Sequence, residues 1–153
     1  MAQEKVVISC PGQDDIVLED NKELSLEVEF VVDTIQSKVK DRKNDIVNEI
    51  TIRGYITEST TAEVKKLAEW SISNNYKQQY RKVDITLMLN QSDKMLREFK
   101  LTKAFCVDYK EVYPSAISRR YDSEDAEKPY FEILLSQKAD SLEDISVIAG
   151  SPE

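Results

Sequence analysis

The sequence contains no histidine, the side chain that most often acts as a general base or a metal ligand. Serine–histidine and cysteine–histidine catalytic arrangements are therefore excluded. Glycine is also scarce, because the chain has only Gly12, Gly54 and Gly150. These glycines are isolated from one another, which excludes a glycine-rich phosphate-binding loop. The absences predict a protein that is not an enzyme, with no catalytic residues, no cofactor and no metal site.

Cysteine is represented only by Cys10 and Cys106. Two distant cysteines predict reduced, half-buried thiols, and a disulfide between them is the less favoured alternative. No window approaches the roughly 20 apolar residues of a membrane-spanning helix, so no membrane association is predicted. The polar start of the chain lacks the apolar core of a signal peptide. The expected compartment is the cytoplasm.

Basic residues are outnumbered, since 21 lysines and arginines face 29 aspartates and glutamates, for a net charge of −8. An acidic surface repels phosphate, so direct sequence-specific binding of nucleic acid is not expected. Short acidic clusters are present, but in a chain of this charge they are typical of solvated surface loops rather than of cation sites. They are Asp14-Asp15, Glu19-Asp20, Asp122 with Glu124-Asp125, and Glu143-Asp144.

Alternation of apolar and polar residues, the strand period, is the dominant pattern in the sequence. It predicts a mainly β fold, a β-barrel or sandwich of antiparallel strands with one α-helix packed on it and an extended hairpin loop. Residues 1–140 are expected to form this domain, and residues 141–153 an acidic C-terminal tail. The alternating runs are Val6–Ile8, Ile16–Leu18, Leu24–Val32, Ile50–Ile56, Val83–Leu89, Phe99–Tyr109 and Tyr130–Leu135.

One segment has the helical period instead. Thr60 and Glu63 have the spacing of a capping box, with Thr60 as the N-cap and Glu63 at the third helical position. The helix is expected over Thr61–Ser73. Its apolar stripe consists of Val64, Leu67, Ala68 and Ile72, flanked by Trp70. Trp70 and the aromatic residues Phe99, Phe105, Tyr109 and Tyr113 are expected in the core.

A long polar loop separates the strands that end near Val32 and begin near Ile50, and it carries Lys38, Lys40, Arg42 and Lys43. Loops of this length in a compact domain are usually functional or disordered. Three interpretations are open. The cluster is a solvated hairpin tip, a docking element for an acidic patch on another subunit, or a nucleic-acid contact. The last is least favoured, because no aromatic residue interleaves the basic ones.

The order of these elements resembles the tail-tube fold shared by phage tail-tube proteins and the haemolysin-coregulated tube protein (Hcp) of type VI secretion. The resemblance lies in Glu49–Ile56, the helix Thr61–Ser73, the strand Val83–Leu89 and the long strand Phe99–Tyr109. It extends over roughly residues 20–138, and its nearest likeness is to small tubes of prophage or bacteriocin-like contractile particles.

The resemblance implies stacked rings of six subunits around a pore, with the chain itself as main partner and sheath and baseplate proteins as further partners. The protein would assemble in the cytoplasm and function within a phage-tail-like or injection particle. Lys38, Lys40, Arg42 and Lys43 would contact the next ring, and Glu27, Glu29, Thr51 and Arg53 would face the lumen. The alternative is a β-barrel adaptor that binds a baseplate or other protein without polymerising.

Overall fold

A computed structural model describes residues 4–34, 46–73, 75–88, 94–115, 127–137 and 146–149. Within these ranges the chain is mainly β, as predicted, and forms eight strands and two helices. The strands are β1 (Lys5–Ser9), β2 (Ile16–Glu19), β3 (Glu27–Thr34), β4 (Ile46–Tyr55), β5 (Arg81–Met88), β6 (Met95–Val112), β7 (Tyr130–Gln137) and β8 (Ser146–Ala149). The helices are α1 (Thr61–Ser71) and the single turn α2 (Tyr76–Gln79).

Every strand pairs antiparallel with its neighbours, in the order β2-β1-β5-β6-β7-β4-β3, and β8 pairs with β6. Among the described strands the two ends of this order, β2 and β3, do not pair with each other. Of the two predicted forms, the sheet therefore adopts the open, sandwich-like one rather than a closed barrel. β3 and β4 pair from Glu27 opposite Arg53 to Thr34 opposite Ile46, which confirms the predicted hairpin.

The 18-residue strand β6 joins the two halves of the sheet. Its first half pairs with β5 and β8, and its second half, from Ala104 onward, pairs with β7. The register shifts between Cys106 and Asp108, and such a bulge bends a strand and increases its twist. The sheet folds over at this strand, so that Phe30 of β3 stacks on Phe99 of β6 with ring centroids 4.7 Å apart.

Helix α1 covers one end of the resulting core. Val64, Leu67 and Trp70 are buried against the apolar faces of the strands, as the helical stripe predicts. Ile72, predicted on the same stripe, is 78% exposed. The reason is that α1 ends at Ser71, two residues earlier than expected, so Ile72 no longer follows the helical face.

Thr60 is the N-cap residue, as predicted, but the predicted hydrogen bonds of the capping box do not form. The Thr60 hydroxyl makes no cap bond to the helix. Its Oγ1 donates to the Tyr55 carbonyl at 2.9 Å and accepts from the Thr57 backbone N–H at 2.8 Å. Glu63 accepts instead from the Val17 backbone N–H of β2 at 2.9 Å. Tertiary partners have replaced the local ones.

Strand β8, Ser146–Ala149, pairs along β6 from Lys100 to Arg97 and lies within the predicted C-terminal tail. The other tail residues, 141–145 and 150–153, are outside the described residues. The division into residues 1–140 and 141–153 stays a prediction. In the described residues, Cys10 is buried, Cys106 is half-buried, and the two thiols are not bonded to each other.

Candidate assembly surface

A row of alternating charges crosses four neighbouring strands on the face of the sheet that points away from the core. Glu27 of β3 is opposite Arg53 of β4, Arg53 is opposite Glu132 of β7, and Glu132 is opposite Lys110 of β6. This row forms because each strand places alternate side chains on this face while the registers of the three pairs align. We call it the charged row.

Direct ion pairs connect the charged row. The Arg53 guanidinium lies 3.1 Å from Glu27 Oε1 and 2.8 Å from Glu132 Oε2, and Lys110 Nζ lies 3.9 Å from Glu132 Oε2. The hydrogen bond to Glu132 raises the pKa of Arg53. Glu27 and Lys110 are exposed and Arg53 and Glu132 are half-buried, and ion pairs this open to solvent contribute little stability each. Their consequence is a hydrophilic surface of balanced charge.

The four residues predicted to face a lumen share this surface. Glu27 pairs with Arg53, and Glu29 pairs with Thr51 in the next row along the same two strands. Glu27 and Glu29 are exposed, while Thr51 and Arg53 are half-buried between neighbouring strands. The sequence did not reveal Glu132 and Lys110, because the pairing of β4 with β7 and of β7 with β6 joins residues far apart along the chain. The sequence did offer one signal for Glu132, which is a polar residue between the apolar residues Phe131 and Ile133.

The two ends of the sheet differ in how their backbones are covered. At β2, the Glu63 carboxylate of α1 accepts the Val17 N–H, so the helix occupies part of that edge. At β3, no described strand pairs with the side opposite β4. Val31 and Val32 of β3 are 39% and 44% exposed, and adjacent residues of a strand point to opposite faces. β3 therefore presents an eight-residue edge with an apolar end.

The basic cluster of Lys38, Lys40, Arg42 and Lys43 lies outside the described residues. Its three interpretations stay open.

The aromatic predictions are mostly confirmed. Trp70 and Phe99 are buried, and Phe105 and Tyr109 are half-buried. Tyr113 is a correction, since it is 54% exposed. Its hydroxyl donates to Glu111, which also accepts from the Tyr109 hydroxyl at 3.0 Å. Tyr113 lies past the end of β6 at Val112, and no described strand faces it.

The acidic clusters that fall in described residues have mainly structural roles or are solvated. Asp14 and Asp15 are exposed, and Glu19 pairs with Lys5 at 3.9 Å. Asp20 accepts from the Leu26 N–H at 2.8 Å and so fixes the turn before β3. Within the described part of the chain, no three carboxylate or thiol groups converge as metal ligands, and no helix has the length and apolarity needed to cross a membrane.

An open antiparallel sheet folded over one core, with a single main helix at one end, is the architecture that the comparisons recognise. Hcp1 from Flavobacterium johnsoniae matches with a TM-score of 0.55 and 20% identity over 95% of this chain and 96% of that one. A chain in the cryo-EM structure of the anti-feeding prophage (AFP) baseplate matches with a TM-score of 0.51 and 11% identity over 97% of this chain and 94% of that one. Neither a protein-family model nor a curated protein sequence matches the chain.

These likenesses define the fold. The chain has the fold of the tail-tube and Hcp proteins, as the order of its elements predicted.

Proposed function

We propose that this protein is a structural subunit of the hollow tube of a phage-tail-like or contractile injection particle and that it has no enzymatic role. The observation that carries the proposal is the edge of β3 opposite β4, with which no described strand pairs, on a sheet with the tail-tube fold. An unpaired edge is a site where another chain adds its own strand, and soluble monomers normally block such edges.

The resemblance to tail-tube proteins favours a ring over a dimer in which two β3 edges pair with each other. The two ends of the sheet differ, because Glu63 partly occupies β2 whereas no described strand pairs with β3 on the side opposite β4. A contact between two different surfaces, repeated about an axis, closes into a ring, and rings that repeat such a contact along the axis form a tube. Six subunits per ring, stacked rings, and contacts with sheath and baseplate proteins complete the proposal.

The charged row and the neighbouring pair of Glu29 and Thr51 would line the pore. Glu27, Glu29, Thr51 and Arg53 lie on the sheet face opposite the core, where a ring interior would require solvated side chains. The pairing of Arg53 with Glu27 and Glu132 keeps the surface close to neutral locally, so a transported macromolecule would meet no strong field of either sign.

The test is to measure the mass of the purified protein by analytical ultracentrifugation and to image it by negative-stain electron microscopy. We expect rings or short tubes for the wild type. Val32→Lys, which places a charge on this edge of β3, should shift the protein toward monomer without unfolding it, because Val32 is already 44% exposed.

Leu96→Lys is the matched control. Leu96 is 48% exposed but belongs to the first half of β6, which has partners on both sides. This variant should assemble as the wild type does. A wild type that stays monomeric at high concentration in every salt condition would contradict the proposal.

A second candidate is an adaptor that binds one partner protein without polymerising. The likeness to a chain in the AFP baseplate structure favours it. In that case the isolated protein stays monomeric, and it forms a complex of fixed stoichiometry with a partner from a baseplate.

A further inference from the structure

The long strand β6 has an edge without a described partner, as β3 does. β5 pairs with β6 only as far as Ala104, whereas β7 pairs along the other edge of β6 from Ala104 to Val112. On the side opposite β7, no described strand pairs with Phe105–Val112. The four strands that carry the charged row therefore have two such edges, β3 at one end and the second half of β6 at the other.

The directions of the strands allow these two edges to meet in neighbouring copies. β3, β4, β7 and β6 alternate in direction, because each of the three pairs is antiparallel. β3 and β6 of one copy therefore run in opposite directions. A rotation about an axis roughly along the strands keeps these directions, so β3 of the next copy would run antiparallel to β6 of the first. The eight residues of β3 match Phe105–Val112 in length.

The two ends of the charged row carry opposite charges. The row begins at Glu27 on β3 and ends at Lys110 on β6. Their side chains are 65% and 56% exposed, so each can reach a group on another molecule. Lys110 is bound only loosely within its own chain, since its Nζ lies 3.9 Å from Glu132 Oε2. A register that continues the row into the next copy places Glu27 of that copy opposite Lys110.

The same register determines what meets in the neighbouring row. That row ends at Glu29 on β3 and at Asp108 on β6, so the contact brings two exposed carboxylates together. Lys110 lies diagonal to Glu29 across the contact and offsets part of this repulsion. Beyond these rows both edges carry exposed apolar residues, Val31 on β3 and Val107 on β6. The contact therefore combines an ion pair, an apolar pair and one unfavourable pair of carboxylates.

We propose that the second half of β6 receives the edge of β3 from a second copy of this chain, with Lys110 opposite Glu27 and Asp108 opposite Glu29. The charged row then continues without interruption from copy to copy, and Asp108 weakens each contact. The proposal rests on the self-assembly proposed above and deepens it, because it names the surface on which β3 docks and the residues that set the register.

Exchanging charges between copies tests the pairing of Glu27 with Lys110. Glu27→Lys and Lys110→Glu, each alone, place like charges at every contact and should weaken self-association by at least about tenfold in sedimentation velocity. An equimolar mixture of the two variants should recover association, because the altered β3 of one then meets the altered β6 of the other. The pairs within each chain stay altered in the mixture, so recovery reports on the contact alone. A mixture that associates no better than its components would overturn the register.

A single substitution tests the unfavourable row. Asp108→Asn should strengthen self-association by about twofold to fivefold, the usual effect of removing a like-charge pair between strands. Glu58→Gln is the matched control, because it removes the same charge at an exposed residue outside both edges. No gain from Asp108→Asn, or an equal gain from both variants, would overturn the placement of Asp108 opposite Glu29.

A cross-link distinguishes this contact from one in which two β3 edges pair. Glu27→Cys/Lys110→Cys, combined with Cys10→Ala/Cys106→Ala, should form a ladder of disulfide-linked oligomers, because residues directly opposite on antiparallel strands lie within disulfide distance. Within one copy these two positions are separated by β4 and β7, roughly 14 Å of strand spacing, so they cannot bond to each other. The variant without Lys110→Cys should form no ladder.

The outcomes separate the two proposals. A wild type that assembles while the double cysteine variant forms no ladder would leave the proposed function standing and would overturn the contact between β3 and β6. A wild type that stays monomeric would overturn both.

Discussion

Gly54 of β4 shows how tightly one position in this core is specified. A Cβ at this position would lie 2.8 Å from both Leu24 Cδ1 and Phe131 Cε1, closer than packed carbon atoms approach. Gly54→Ala should therefore lower the free energy of unfolding by about 1–3 kcal/mol, the usual cost of overpacking a core. Urea denaturation measures this change.

A second variant tests the cause. Shortening the opposing ring by Phe131→Leu makes room for the added methyl group, so the two substitutions together should cost less than the sum of their separate costs. Strict additivity would show that the clash lies with Leu24 Cδ1 and not with the ring of Phe131.

The thiol of Cys106 makes the stability of the protein depend on pH. Burial and, to a smaller extent, Asp108 raise the pKa of its thiol from 9.0 to about 11. The folded protein then holds this proton more tightly than the unfolded chain does. Stability should be full below pH 9 and should fall by about 1–2 kcal/mol as the pH rises from 9 to 11.

Cys106→Ala should remove this loss between pH 9 and 10. Burial and the hydrogen bond to Glu111 also raise the pKa of Tyr109, whose ordinary value is 10.0, so its contribution begins at higher pH. Tyr109→Phe is therefore the control, because it should keep the slope between pH 9 and 10. Urea denaturation at a series of pH values measures both, and an unchanged slope in Cys106→Ala would contradict the assignment.

Among the elements, α1 has two attachments to the sheet. Its apolar face packs on the core through Val64, Leu67 and Trp70, and Glu63 binds the Val17 N–H of β2. Glu63→Ala should lower the free energy of unfolding by about 1–2 kcal/mol, because it leaves a partly buried backbone donor without its charged acceptor. Chemical denaturation of this variant provides the measurement.

Glu69→Ala is the appropriate control, since Glu69 lies on the exposed side of the same helix. It removes the same charge without removing a bond to β2, and its stability should stay within about 0.5 kcal/mol of the wild type. Hydrogen exchange sharpens the comparison, because only Glu63→Ala should speed exchange of the Val17 amide. Equal effects of the two variants would show that the hydrogen bond between Glu63 and the Val17 N–H contributes nothing to stability.

At the scale of the whole molecule, the β3–β4 hairpin and the body of the sheet should have separable roles. Deleting Ser37–Asp45 removes the basic cluster while leaving the pairs from Glu27 opposite Arg53 to Thr34 opposite Ile46 in place. We expect this variant to fold and to form single rings that no longer stack into tubes. Electron microscopy of the variant beside the wild type distinguishes these species.

Replacing Lys38, Lys40, Arg42 and Lys43 with glutamine tests the charge alone. If these residues dock on an acidic patch of the next ring, this variant should lose stacking as the deletion does. Tubes of normal length from it would favour the interpretation of a solvated hairpin tip.

The alternation of the sequence was enough to predict the strands, since each side chain's face follows from a backbone period of two. Val6, Ile8, Val83 and Ile85 are all fully buried, as their runs require. The helix was also predicted from a local pattern, because Val64 and Leu67 repeat at the helical period. The order of the elements then led to the tail-tube fold. It also led to Glu27, Glu29, Thr51 and Arg53 as one surface, because they alternate along two strands of one hairpin.

The features that only the tertiary structure decided are contacts between segments far apart along the chain. Glu63 has the spacing of a capping residue, yet it binds Val17, 46 residues away. Arg53 was visible as a polar residue on a strand, but its partner Glu132 is 79 residues away. Arg81 precedes the alternating run that begins at Val83, and only the packing of Trp70 and Gln78 around it leaves this charged residue almost fully buried. Local periods determine which face a side chain takes, whereas its partner depends on how the sheet folds over at β6.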